Sequence, residues 1–180
     1  MDQSRGVLLL SDPLRSADSA PSAGNVIERR MWSASERDAG HNFLRIDFPE
    51  GDRCLPRAQA ALWELRQRCG WVCVAAERGC AGVALSLAEQ LPVDRVALLG
   101  GTPFSPLTEG GTAARRREMR RIDNFARRNL ALVTAELLLI GVSEDEARRL
   151  AVGLGRRVRL KVQVGADLGS FLEAWEDNGK

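Results

Sequence analysis

The sequence predicts an α/β protein, a mostly parallel sheet of about six strands with helices on both faces, in one domain spanning residues 1–180. Three observations carry this. Short apolar runs recur along the chain without polar alternation, as strands buried on both faces require. Stretches with apolar residues at helical spacing separate them. Turn-forming residues close several of the runs, as at Ser11-Asp12-Pro13, Pro49 and Gly100-Gly101.

Val7 to Leu10 is the first such strand, and the Ser, Ala and Pro of residues 16–24 predict a loop. Val26, Ile27 and Trp32 then point to an amphipathic helix ending near Gly40. Phe43 to Phe48 alternates like a strand. Between Pro56 and Cys69, Ala60, Ala61, Leu62, Leu65 and Cys69 fall at helical spacing, with Pro56 in the first turn and Gly70 as the cap. Trp71 to Ala76 is a strand, Glu77-Arg78-Gly79-Cys80 a turn, and Gly82 to Gln90 a helix. Val93 to Leu99, Glu136 to Gly141 and Val158 to Val164 complete the strands. Glu144 to Leu154 is a helix capped by Ser143, with acids in its first turn, and Ala166 to Trp175 is the last helix.

Composition bounds the function. With 180 residues, 44% of them hydrophobic and 28% charged, a domain buries roughly 70% of its unfolded surface and needs neither disulfides nor a structural metal. Lys+Arg is 26 against 24 Asp+Glu, a net charge of +2, which excludes a wholesale polyanion binder and a disordered acidic chain. The first apolar run is too short for a signal peptide or membrane helix, so a cytoplasmic location is expected and Cys54, Cys69, Cys73 and Cys80 read as reduced thiols. His41 is the single histidine, which excludes mechanisms with two imidazoles and multi-histidine metal sites. Neither a metal nor a cofactor is expected.

In open α/β sheets ligands sit beyond the carboxyl ends of the strands. The residues found there, Ser11, Asp12, Arg78, Gly79, Glu144 and Asp167, form the candidate cleft. The local patterns around them carry a family resemblance. Arg45-Ile46-Asp47-Phe48-Pro49-Glu50-Gly51, Val72 to Ala88 and Asp94 to Gly101 are similar to successive strands and turns of the α/β-hydrolase fold, including its nucleophile elbow. Gln163 to Glu173 resembles the final loop, which in that family carries the catalytic histidine. The resemblance covers nearly the whole chain and implies a reduced three-layer sandwich.

At the positions where the resemblance places the triad, the chain has Arg78, the neighbourhood of Glu144, and Leu168. A guanidinium cannot attack a carbonyl, and a leucine cannot move a proton, without which a serine stays a weak nucleophile. Asp12, in the loop that resembles the family's oxyanion hole, would oppose a developing oxyanion. These departures lead to the expectation of a non-catalytic binding or protein-interaction module. The alternative is a divergent, esterase-like hydrolase with an unrecognised or Cys80-based nucleophile, since Cys80 stands where a helix N-terminus would lower its pKa. Arg78 itself calls for an anion, either an internal partner among Asp12, Glu144 and Asp167 or a small-molecule carboxylate or phosphate.

Residues 103–131 fall where the family carries a lid. Arg115, Arg116, Arg117, Arg120, Arg121, Arg127 and Arg128 stand there against Glu109, Glu118 and Asp123, seven minus three, a local excess of +4. On a helix, Met119, Ile122, Phe125 and Ala126 form an apolar stripe suited to packing on the core or on a partner, a second copy included. No nucleic-acid reading motif accompanies the arginines, and no aromatic is interleaved in the Arg115-Arg116-Arg117 triplet.

Overall fold

A computed structural model describes residues 4–11, 41–48, 53–106, 111–156 and 158–163. The helix expected to end near Gly40 and the last helix, Ala166 to Trp175, lie outside the described residues.

Six strands form one sheet: β1 (Arg5–Ser11), β2 (His41–Asp47), β3 (Trp71–Glu77), β4 (Arg95–Leu99), β5 (Glu136–Ile140) and β6 (Leu160–Gln163). Their order is β2-β1-β3-β4-β5-β6, and every neighbouring pair is parallel. Each strand therefore delivers its last residue to the same edge. The register pairs Arg5 with both His41 and Trp71 at one edge and Ser11 with Asp47 at the other. The near-total burial of Val7 to Leu10 and of Val72 to Ala76 explains why these strands read as unbroken apolar runs.

The described helices are α1 (Cys54–Arg68), α2 (Ala81–Gln90), α3 (Ala113–Asn129) and α4 (Glu144–Gly153). α1 starts two residues before Pro56, which still lies in its first turn, where a missing N–H costs nothing. Its cap is Cys69 rather than Gly70: extended Cys69 donates its N–H to the Leu65 carbonyl and leads straight into β3. At the N-terminus of α3 the Thr112 side chain accepts from the Arg115 N–H, and α4 opens with a capping box between Ser143 and Glu146. None of the described helices is long and apolar enough to cross a membrane.

All four helices contribute to the larger core cluster, through Ala58 and Leu62, Val83 and Leu87, Met119 and Ile122, and Leu150, packed on Leu8, Leu10, Val74, Val96 and Leu139. The opposite sheet face holds a second buried cluster of Val7, Leu9, Cys73, Ala75, Ala97 and Leu138. Both faces are covered, as expected, but the described helices lie on one of them.

Candidate functional site

The rim formed by the strand C-termini collects three groups of polar side chains. At the end of β1, the buried Ser11 hydroxyl donates to Glu77 Oε2 at 2.7 Å, and an Arg45 terminal nitrogen donates to Ser11 Oγ at 3.4 Å. Arg45 also pairs with Asp47 at 2.9 Å. Glu77, the last residue of β3, is 3% exposed.

The chain then turns through a single 3-10 turn, Arg78–Cys80, into α2. Among the described residues no non-glycine residue has a positive φ, so this turn is relaxed, unlike the strained strand-to-helix elbow that presents a nucleophile. Arg78 is half-buried, and its Nε is buried with no hydrogen-bond partner among the described residues. Its stem passes over the backbone of Gly101, where an added Cβ would lie 2.5 Å from Arg78 Cγ.

Beyond β4 and β5, the Ser105 hydroxyl accepts from the Thr102 N–H at 2.8 Å and donates to Glu146 Oε1. Ser143 donates to the other carboxylate oxygen at 2.8 Å. Burial pushes the Glu146 pKa up, but the Ser105 and Ser143 donors and the Arg78 charge outweigh it and hold the carboxyl below its ordinary range.

One expectation changes against this geometry. The carboxylate that feels Arg78 is Glu146, whereas the expected partner Glu144 is exposed at the start of α4 and makes no ion pair with Arg78. The reason is helical: Glu146 at the third helical position folds back onto its own cap and toward the sheet. Asp12, Asp167 and Leu168 lie outside the described residues. Gly79 sits in the 3-10 turn, and Cys80 is fully buried there.

His41, the only imidazole of the chain, opens β2 level with Trp71 at the far edge of the sheet. Six residue steps along β3 separate that level from Glu77, roughly 20 Å at ~3.3 Å per residue. The rim does hold hydroxyls within hydrogen-bond reach of proton acceptors, at Ser11–Glu77 and Ser105–Glu146. Both serines are buried, 2% and 7% exposed. Among the described residues no group of three or more His, Cys, Asp or Glu side chains could hold a metal ion.

Sequence reading did not reach Glu77, Ser105 and Glu146. Only Glu146 carried a signal, the Ser143-x-x-Glu146 capping box. The arginine-rich segment forms α3 as expected, with Arg115 and Arg127 turned inward onto the Phe48 and Pro103 carbonyls.

No family model and no curated protein matches the sequence. Solved structures do match. A metagenome-derived lipolytic enzyme, of the pair LipS and LipT, is similar with TM-score 0.66 and 14% identity over 98% of this chain and 93% of that one. The monoacylglycerol lipase of Paleococcus ferrophilus is similar with TM-score 0.60 and 14% identity, covering 96% and 92%. An esterase domain of a Rhodothermus marinus protein gives 0.62 and 15%, covering 97% and 87%. At such identities the likeness is one of fold.

Proposed function

On the α/β-hydrolase fold that this chain adopts, we propose a non-catalytic binding protein that takes a small oxyanion, a carboxylate or phosphate, at the carboxyl rim of the sheet. The observation that carries this reading is Arg78, a guanidinium standing directly after β3 with a buried Nε that has no hydrogen-bond partner among the described residues. A buried donor left unsatisfied costs about 1–3 kcal/mol, and an oxyanion accepting from Nε and a terminal nitrogen together removes that cost. Glu146 uses both of its oxygens on Ser105 and Ser143, which leaves the Arg78 donors to a ligand. Cys80 is sealed in the core, and His41, the single histidine, starts β2 at the other edge of the sheet, so neither supports turnover.

A second reading, a divergent esterase-like hydrolase, is favoured by the Ser11–Glu77 contact, which puts a hydroxyl against a carboxylate base. Burial of Ser11 and its bond from Arg45 weigh against it, because an attacking oxygen needs a path to the carbonyl.

One pair of measurements separates the readings. The pure protein is incubated with p-nitrophenyl esters of several chain lengths, and its melting is followed with acetate or inorganic phosphate. The expected result is ester cleavage at the buffer rate and an anion-dependent rise in Tm that Arg78→Gln removes. Turnover lost in Ser11→Ala or Cys80→Ala would overturn the binding reading.

A further inference from the structure

Away from the sheet rim, the outer surface of the helical layer holds a slot of about 200 Å³ where α1, α2 and α3 meet. It is lined by Leu55, Ser86, Gln90, Arg121, Ile122 and Phe125. Ser86 is 0% exposed, yet its hydroxyl has no hydrogen-bond partner among the described residues. A buried helical serine can satisfy its hydroxyl on the carbonyl one turn back, so the orphaned hydroxyl of this slot-lining residue is an unfilled polar contact just beneath the slot wall.

The slot runs, through Arg121 and Phe125, into an open groove of about 450 Å³ along α3, to which Arg117, Arg120 and Arg128 contribute. These four arginines make no ion pair or hydrogen bond among the described residues. Neither lining contains an acid, although Glu118 and Asp123 belong to the same helix. Asp123 faces the interior, at 7% exposure. The outward side of α3 is therefore an uncompensated guanidinium surface around one half-exposed aromatic ring.

We propose that this slot binds a small amphiphilic anion, a compound with a carboxylate or phosphate head on a short alkyl or aryl tail. The tail lies between Leu55, Ile122 and Phe125, an oxygen near the head meets Ser86, and the head pairs with Arg121 and its arginine neighbours. This site is independent of the oxyanion site at Arg78, since the two share no residue.

The test titrates the full chain with octanoate and octyl phosphate by calorimetry and thermal shift. Octanol serves as the tail alone, inorganic phosphate as the head alone, and phosphatidylglycerol vesicles as a lipid surface. Saturable binding of the two amphiphiles is expected, at least tenfold tighter than octanol or phosphate. Arg121→Gln weakens it at least tenfold and Ser86→Ala about fivefold, while Arg78→Gln leaves it unchanged. Ser86→Ala also raises the Tm of the unliganded protein by about 2–4 °C, because removing an unsatisfied buried hydroxyl stabilises, so its loss of affinity cannot come from misfolding. Binding that survives both slot variants, binding to vesicles but to neither free amphiphile, or no binding at all overturns the proposal. Loss of octanoate binding in Arg78→Gln with Ser86→Ala unaffected would assign the ligand to the rim instead and equally overturn it.

Discussion

The Gly82 backbone N–H, one of the orphan donors at the start of α2, is taken by the Asp123 carboxyl of α3. The Cys80 cap of α2 supplies no side-chain bond, so Asp123 caps that helix from across the interface. Glycine is required there, because an added Cβ would lie 2.2 Å from Asp123 Oδ1 and 3.0 Å from its Cα. Gly82→Ala is expected to cost about 1–3 kcal/mol by forcing the helices apart, measurable by urea unfolding. A backbone contact cannot yield as a side-chain tip does.

The same pair makes stability depend on pH. Burial, opposed by the Arg127 charge and the Gly82 N–H, pushes the Asp123 carboxyl from 3.8 up to about 7. Between about pH 4 and pH 7 the folded protein keeps a proton that the unfolded chain has released, so this residue's contribution is full below pH 4 and is lost as pH rises through 7. Asp123→Asn cannot ionise. Its Tm relative to the parent protein is expected to climb by roughly 12 °C between pH 4 and pH 8, from about 4 kcal/mol of linkage at about 3 °C per kcal/mol for a chain of this size. Parallel Tm curves across that range would show that Asp123 is already ionised at pH 5.

Gly101 and Arg78 form a second close approach, where an added Cβ would meet the Arg78 stem at 2.5 Å and Ser105 Oγ at 2.8 Å. Gly101→Ala is expected to displace Arg78 and Ser105 together and to lower the anion-dependent Tm rise at least threefold. In an Arg78→Ser background the same alanine costs about 1 kcal/mol less, a coupling that a double-mutant cycle measures. Additive costs would mean that the guanidinium stem bends out of the way.

The sheet was legible because burial on both faces removes the polar alternation, leaving runs such as Val7 to Leu10 and Val72 to Ala76 that only a covered parallel sheet explains. The Gly70 cap misled, because a glycine after a helix resembles a left-handed cap although Cys69 already runs extended into β3. At the site, local sequence revealed Arg78 and the Ser143 cap, but not that Ser11 reaches Glu77 across 66 positions or that Ser105 reaches Glu146 across 41. Those contacts depend on strand order, which no local pattern encodes. Ser86 carries no sequence signal: it stands inside the α2 stretch, and only the packing shows its hydroxyl buried with no partner among the described residues.

All four cysteines are buried, and none is in a disulfide. Burial drives the Cys73 thiol up to about 12, with the Arg95 charge opposing and the Glu136 and Asp94 charges adding to it. Thiolate, the reactive form, is then scarce at neutral pH. A chromogenic disulfide reagent is expected to titrate fewer than one thiol per chain in the native protein and four after denaturation, at pH 7 and again at pH 8.5. Rapid native labelling confined to Cys80 would revive the thiol nucleophile.

At the opposite sheet edge from the site, Arg95 is 2% exposed, with its Nε 2.9 Å from Glu136 Oε2 and its guanidinium 5.6 Å from the centre of the Trp71 ring. An ion pair this buried contributes little net stability compared with apolar replacements, but removing one partner takes away part of the compensation of the other's buried charge. Glu136→Gln is therefore expected to destabilise by about 3 kcal/mol, whereas Arg95→Met combined with Glu136→Leu recovers most of the loss. The Trp71 ring adds about 1 kcal/mol through its face, so Trp71→Leu is expected to make the Glu136→Gln penalty larger. Equal unfolding midpoints for the parent and Glu136→Gln would mean that solvent reaches Arg95 and screens it. Because this pair stands a full strand length from Arg78, all three variants should retain the anion-dependent Tm rise at the rim, which separates the stability of the fold from the proposed binding.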